Sequence, residues 1–180
     1  YLNSWNICDE RSNAPDLEMV DELVNTLSNY SNINLNKIRI LGSSNGAGLA
    51  NNIFIQNENP NIDIICAVVS HLNIPQYHDN NFYKNTTVTN PISTFCGYEE
   101  ITNPISSRKY LSISNINDPT IPYLGGNSKV GLDFLDAENA IFHIAKNQGF
   151  TGDKLSPEGL ALGNPVIFEY SYLSSDVVHI

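Results

Sequence analysis

Gly42, Ser44 and Gly46 follow one another as G-x-S-x-G inside the stretch Lys37 to Gln56, K-I-R-I-L-G-S-S-N-G-A-G-L-A-N-N-I-F-I-Q. A serine so placed does acyl-transfer chemistry when the chain turns sharply from strand to helix around it, because the turn holds the hydroxyl exposed and strained. The glycines are read as positions where a Cβ on either side would collide as the chain reverses. The flanks suit such a turn: Ile38, Ile40 and Leu41 form the apolar run of a buried parallel strand, and Leu49, Ala50, Ile53 and Phe54 recur at helical spacing from Ala47 to Gln56. The competing reading is a glycine-rich turn that binds a phosphate or merely turns. It lacks both G-x-x-x-x-G-K-S and G-x-G-x-x-G.

A serine hydroxyl becomes a nucleophile only when a base takes its proton, and the base needs a carboxylate to hold its tautomer. On sheets of the hydrolase type these groups come in the order Ser, Asp or Glu, His. Asp118 fits the second place, since it follows a predicted strand, Tyr110 to Ile116, and the C-terminal ends of parallel strands are where such sheets build sites. N-D-P at Asn117 to Pro119 is also ordinary turn chemistry. Histidine is the difficult member. His71 and His78 precede Asp118; His71 closes a strand and reads as a hydrogen-bonded structural residue. His143 falls off the apolar face of its helix and reads as solvated, and His179 has the right order but lies within a strand, so the base is either His179 or a histidine beyond residue 180.

The elements that must carry these residues alternate. Leu17, Val20, Val24 and Leu27 predict a helix from Asp16 to about Tyr30, opened by Pro15-Asp16. Ile62 to Ser70 is a second continuously apolar strand, with burial on both faces. Residues 71–108 hold little periodicity and read as a long substrate-facing excursion. A helix of about sixteen residues is expected to present Phe134, Ala137, Ile141 and Ile144 on one face and to end before Gly149. Val166 to Tyr172 and Val177 to Ile180 complete the strands. This order predicts an α/β fold with a mainly parallel sheet flanked by helices.

At 180 residues, with no linker or charge run, one domain over 1–180 is expected. The net charge of -10 argues against nucleic acid or an anionic membrane as partner, and no run of eighteen apolar residues occurs. Cys8, Cys66 and Cys96 are too few and scattered for a disulfide scaffold or zinc site, although one bridge is possible; Cys66, inside I-I-C-A-V-V, reads as a buried inert thiol. Two sequons, at Asn29 and Asn85, fit secretion but arise easily in a chain this rich in Asn.

Four segments together carry a resemblance: S-W-N at Ser4 to Asn6, the Pro15-Asp16 helix, I-R-I-L-G-S-S-N-G-A-G, and N-D-P-T-I-P-Y-L-G-G at Asn117 to Gly126. In order and over most of the chain they resemble the secreted polyhydroxybutyrate depolymerase and feruloyl esterase group of the α/β-hydrolase superfamily, where a similar D-x-x-x-P-Y-x-G-G segment holds the triad acid. The resemblance implies an α/β-hydrolase fold, Ser44 as nucleophile, Asp118 as triad acid and the backbone N–H of Asn45 as an oxyanion donor. It also implies an extracellular ester hydrolase with no metal or organic cofactor, acting on an ester substrate that can be polymeric. Members of that group begin with strands and an H-G loop absent before Tyr1, and their catalytic His follows the last strand. Both ends of the domain are therefore expected to lie outside these residues, and the segment alone is expected to lack esterase activity. A decayed, non-catalytic binding module and a peptidase of the same superfamily are the other classes.

Overall fold

The computed structural model describes residues 4–8, 14–85, 94–156, 159–163 and 166–180. Their regular elements are α1 (Asp16–Leu27), β1 (Ile38–Ser43), α2 (Asn45–Gln56), β2 (Ile62–Val68), β3 (Tyr77–His78), β4 (Asn81–Asn85), β5 (Tyr98–Thr102), β6 (Lys109–Ile113), β7 (Gly126–Asn127), β8 (Asp133–Phe134), α3 (Ala137–Asn147), β9 (Leu160–Ala161), β10 (Phe168–Tyr172) and β11 (Val177–His179). Six strands form the main sheet in the order β1-β2-β6-β11-β10-β9. The first four are mutually parallel, and β10 and β9 add antiparallel. The fold is therefore α/β with a mainly parallel sheet, as the alternation of elements predicts.

One face of that sheet carries the core. Ile65, Tyr110, Val177 and Tyr172 are register partners across four strands, so their side chains point the same way. Helix α2 covers this row through Phe54, whose ring lies 5.1 Å from Tyr110, while α3 covers it through Phe142, 6.1 Å from Tyr172. A ladder of rings joins the two helices: Phe54 meets Phe82 at 6.2 Å, Phe82 meets Tyr77 at 4.8 Å, and Tyr77 stacks on His143 of α3 at 4.3 Å. Residues on the opposite face, Leu41, Cys66, Leu111 and Val178, are half-buried or exposed, Leu41 by 73%. Cys66 is thus half-buried rather than fully enclosed as expected, and burial raises its thiol pKa, which keeps it protonated and unreactive.

Two expectations fail here. Residues 71–108 hold a three-stranded antiparallel sheet, β3-β4-β5, which lies against α2. Its strands are short, and β5 exposes Glu99, Glu100 and Ile101 in succession, so no apolar period marks them. Helix α3 runs for 11 residues, not about sixteen: Phe134 belongs to β8, and Asp136 caps the helix by accepting from the Asn139 N–H at 2.9 Å. The remaining ends shift by a few residues, with β6 stopping at Ile113 and β10 starting at Phe168.

Cys8 and Cys96 are joined in a disulfide across 88 residues of sequence. It ties the irregular segment at 4–8 to the start of β5, burying Cys8, Cys96, Tyr83 and Tyr98 in a small second core. Reduction is expected to lower stability by about 2–4 kcal/mol, because a long loop of the unfolded chain is released. Urea unfolding with and without reductant measures this, and equal midpoints would remove the bridge from the account.

Candidate functional site

The site is built around the turn between β1 and α2. Ser44 adopts φ 55 and ψ -122, a combination that L residues rarely take, and its side chain is exposed. The turn is held from both directions. The Ser44 N–H donates to the Val68 carbonyl at the end of β2 (3.0 Å), and the Ser44 carbonyl accepts from Ala47 and Gly48 in the first turn of α2 (2.9 and 3.2 Å). Chain reversal brings strand and helix so close that a Cβ on Gly42 would lie 2.0 Å from the Gly46 carbonyl oxygen. Gly42 is therefore obligatory. Gly46 is not: a Cβ there meets only Trp5 Nε1, at 3.7 Å, so the expected collision on both sides occurs on one.

Asn45 opens α2, and the backbone N–H groups of a first helical turn face outward with partial positive charge. The residue expected from sequence to offer its backbone N–H to an oxyanion thus stands at the start of the helix. Its side chain does something the sequence did not reveal. Oδ1 accepts from the Trp5 N–H at 2.7 Å and Nδ2 donates to the Trp5 carbonyl at 3.3 Å, clamping the segment at 4–8 to the elbow. Residues 40 apart and of ordinary loop type leave no periodic signal for such a pairing.

Asp118 follows β6, two strands from Ser44, at the same C-terminal end of the parallel ladder. It is half-buried, and its Oδ1 accepts from the N–H groups of Thr120 and Ile121 at 2.7 and 2.9 Å. The turn chemistry of N-D-P is thus real, and it aims the carboxylate at a fixed angle while Oδ2 takes no part in it.

His71 emerges beyond β2 and is buried. Its Nε2 is 2.8 Å from the Leu135 carbonyl, its ring meets Phe134 edge-on, and burial lowers its pKa against the opposing pull of that carbonyl and the nearby Asp136 and Asp118 carboxylates. It is the structural histidine expected from sequence, and it lies within the field of Asp118. His179 is wholly buried in β11, with Nε2 3.2 Å from the Tyr123 hydroxyl. Burial, reinforced by His71, pushes its pKa down to about 4, so it is neutral at physiological pH. Tyr123 and Tyr170 both donate to Glu138 Oε1, at 3.3 and 3.1 Å, continuing this network into α3.

His143 is not solvated as its helical position suggests. It is half-buried, its Nδ1 shares a hydrogen bond with the Tyr77 hydroxyl (2.9 Å), and burial lowers its pKa, as does Lys154. His78 is sandwiched between Tyr83 and Phe95 at 3.8 and 3.9 Å. Ser44 and Asp118 therefore share one end of the sheet. Among the described residues no histidine hydrogen-bonds to either.

No family model, curated protein or solved structure matches this chain.

Proposed function

We propose that this chain carries the nucleophile and acid of a serine hydrolase of the α/β-hydrolase superfamily that cleaves carboxylic esters, of polyhydroxyalkanoate, feruloyl or acetyl-polysaccharide type, through an acyl-enzyme. The observation that carries the reading is the backbone of Ser44: an exposed serine at φ 55, between a parallel strand and a helix, backed by a glycine with no room for a Cβ. Such strain persists only where surrounding structure imposes it, and it clusters at functional positions. Ser44 Oγ attacks the ester carbonyl, and the Asn45 N–H steadies the developing oxyanion. Asp118 orients the histidine that relays the proton. That histidine is none of the four here as placed, since each is buried, stacked or hydrogen-bonded elsewhere. The Cys8–Cys96 bridge supports an oxidising, extracellular setting.

The test is covalent labelling of the protein expressed from its own gene with a fluorophosphonate, which reacts only with an activated serine. Modification at Ser44 by mass spectrometry, lost in Ser44→Ala together with turnover of p-nitrophenyl butyrate, is expected. A second reading, a non-catalytic pocket on the same fold, is favoured because among the described residues no histidine hydrogen-bonds to Ser44. It predicts no labelling at Ser44.

A further inference from the structure

The segment at 4–8 is irregular, yet each described residue from 5 to 8 is held in place. Asn45 clamps the backbone of Trp5. The Asn6 N–H donates to Asp16 Oδ2 at 2.7 Å, its side chain donates to the Ala14 carbonyl at 2.9 Å, and its carbonyl accepts from Asn52 Nδ2 at 3.4 Å. Ile7 is buried against Gly48, where an added Cβ would stand 3.0 Å from its side chain. Cys8 is covalently joined to Cys96. Loop residues usually retain conformational freedom, and that freedom has been removed here at four successive positions. The restraint delivers one object: an indole beside Gly46, two positions from Ser44, that remains 38% exposed.

A large aromatic ring left partly in water, on a backbone that is already ordered, suits the binding of another ring face, because stacking gains area without a further cost for ordering that backbone. We propose that Trp5 forms one wall of the Ser44 site and selects esters that present a ring face, aromatic or the C–H face of a pyranose, over those that present only a linear chain. The proposal rests on the hydrolase reading for its substrate and on the Asn45 clamp for its geometry. In it Asn45 has two roles, with its backbone toward the oxyanion and its side chain positioning the indole.

Trp5 is the single tryptophan of the sequence, so red-edge excitation reports on it alone. Titration of the full chain with 3-phenylpropionate, methyl xyloside and hexanoate is expected to give a saturable blue shift with at least one ring compound and none with hexanoate. The arm that responds names the ring. By calorimetry, affinity for that compound is expected to fall about tenfold in Trp5→Leu and to stay within about twofold in Trp5→Tyr, which keeps a flat face. Equal affinity in Trp5→Leu, or an equal response to hexanoate, overturns the proposal. A ring-specific response without Ser44-dependent turnover keeps the wall and removes the hydrolase. Ser44-dependent turnover with no effect of Trp5→Leu on affinity does the reverse.

Discussion

Gly42→Ala is expected to cost about 3–5 kcal/mol and to abolish labelling of Ser44, whereas Gly46→Ala, two residues beyond the serine, is expected to be nearly neutral. The two glycines look equivalent in G-x-S-x-G. They differ in what stands opposite. A methyl on Gly42 would lie 2.0 Å from the Gly46 oxygen, 2.4 Å from its carbonyl carbon and 2.8 Å from the Ala47 nitrogen. All three are backbone atoms of the first turn of α2, so relief requires the helix to move away from β1, and Ser44 lies between them. A methyl on Gly46 meets one side-chain atom at an ordinary contact distance of 3.7 Å, and alanine is favoured over glycine in a helix by up to about 1 kcal/mol. Urea unfolding and fluorophosphonate labelling of both variants, side by side, decide the matter. Equal, small losses would mean that strand and helix can part at this turn without cost, and would remove the strain on Ser44 from the account.

How much of this could be read in advance depends on whether the signal is local. The Ile38 strand, the elbow and α2 were legible because apolar runs and glycine spacing are properties of twenty adjacent residues. Asp118 was legible as a strand-end acid for the same reason. The sheet β3-β4-β5 was not, since its strands of two to five residues owe their existence to packing on α2 and to Tyr98, wholly buried, which donates to Asn52 at 2.7 Å. His143 was misread because helical position alone cannot show that Tyr77 comes to meet it. The Trp5 clamp and the Cys8–Cys96 bridge are likewise tertiary facts, joining residues 40 and 88 apart. Where local pattern and tertiary demand coincide, as at the elbow, both levels of reading agree. Elsewhere packing decides.

The second large effect concerns a charge that sequence gives no reason to suspect of burial. Arg108, just before β6, is 2% exposed and fans its guanidinium over five carbonyls. Nε donates to Ile62 at 3.0 Å, Nη1 to Ile53, Phe54 and Asn57 at 2.9, 3.3 and 3.1 Å, and Nη2 to Asn59 at 3.0 Å. Four of these belong to the last turn of α2 and the chain leaving it, where carbonyls carry partial negative charge and, of the four, that of Ile53 also accepts from the Asn57 N–H at 3.1 Å. Burial lowers the pKa of Arg108 to about 10, opposed by Asp21, so the group is still charged at neutral pH. Arg108→Met fills similar volume but removes the donor from all five carbonyls at once, and a loss of about 3–5 kcal/mol is expected. At this chain length that lowers the melting temperature by roughly 6–20 °C. Arg108→Lys keeps the charge but cannot spread it over five oxygens, so it should recover only part of the loss. Because Arg108 holds the far end of the helix that Ser44 begins, its removal should reduce labelling of Ser44 as α2 loosens. An Arg108→Met variant with wild-type melting and labelling would show that water satisfies these carbonyls as well as the guanidinium does, and that the elbow is held from its own end alone.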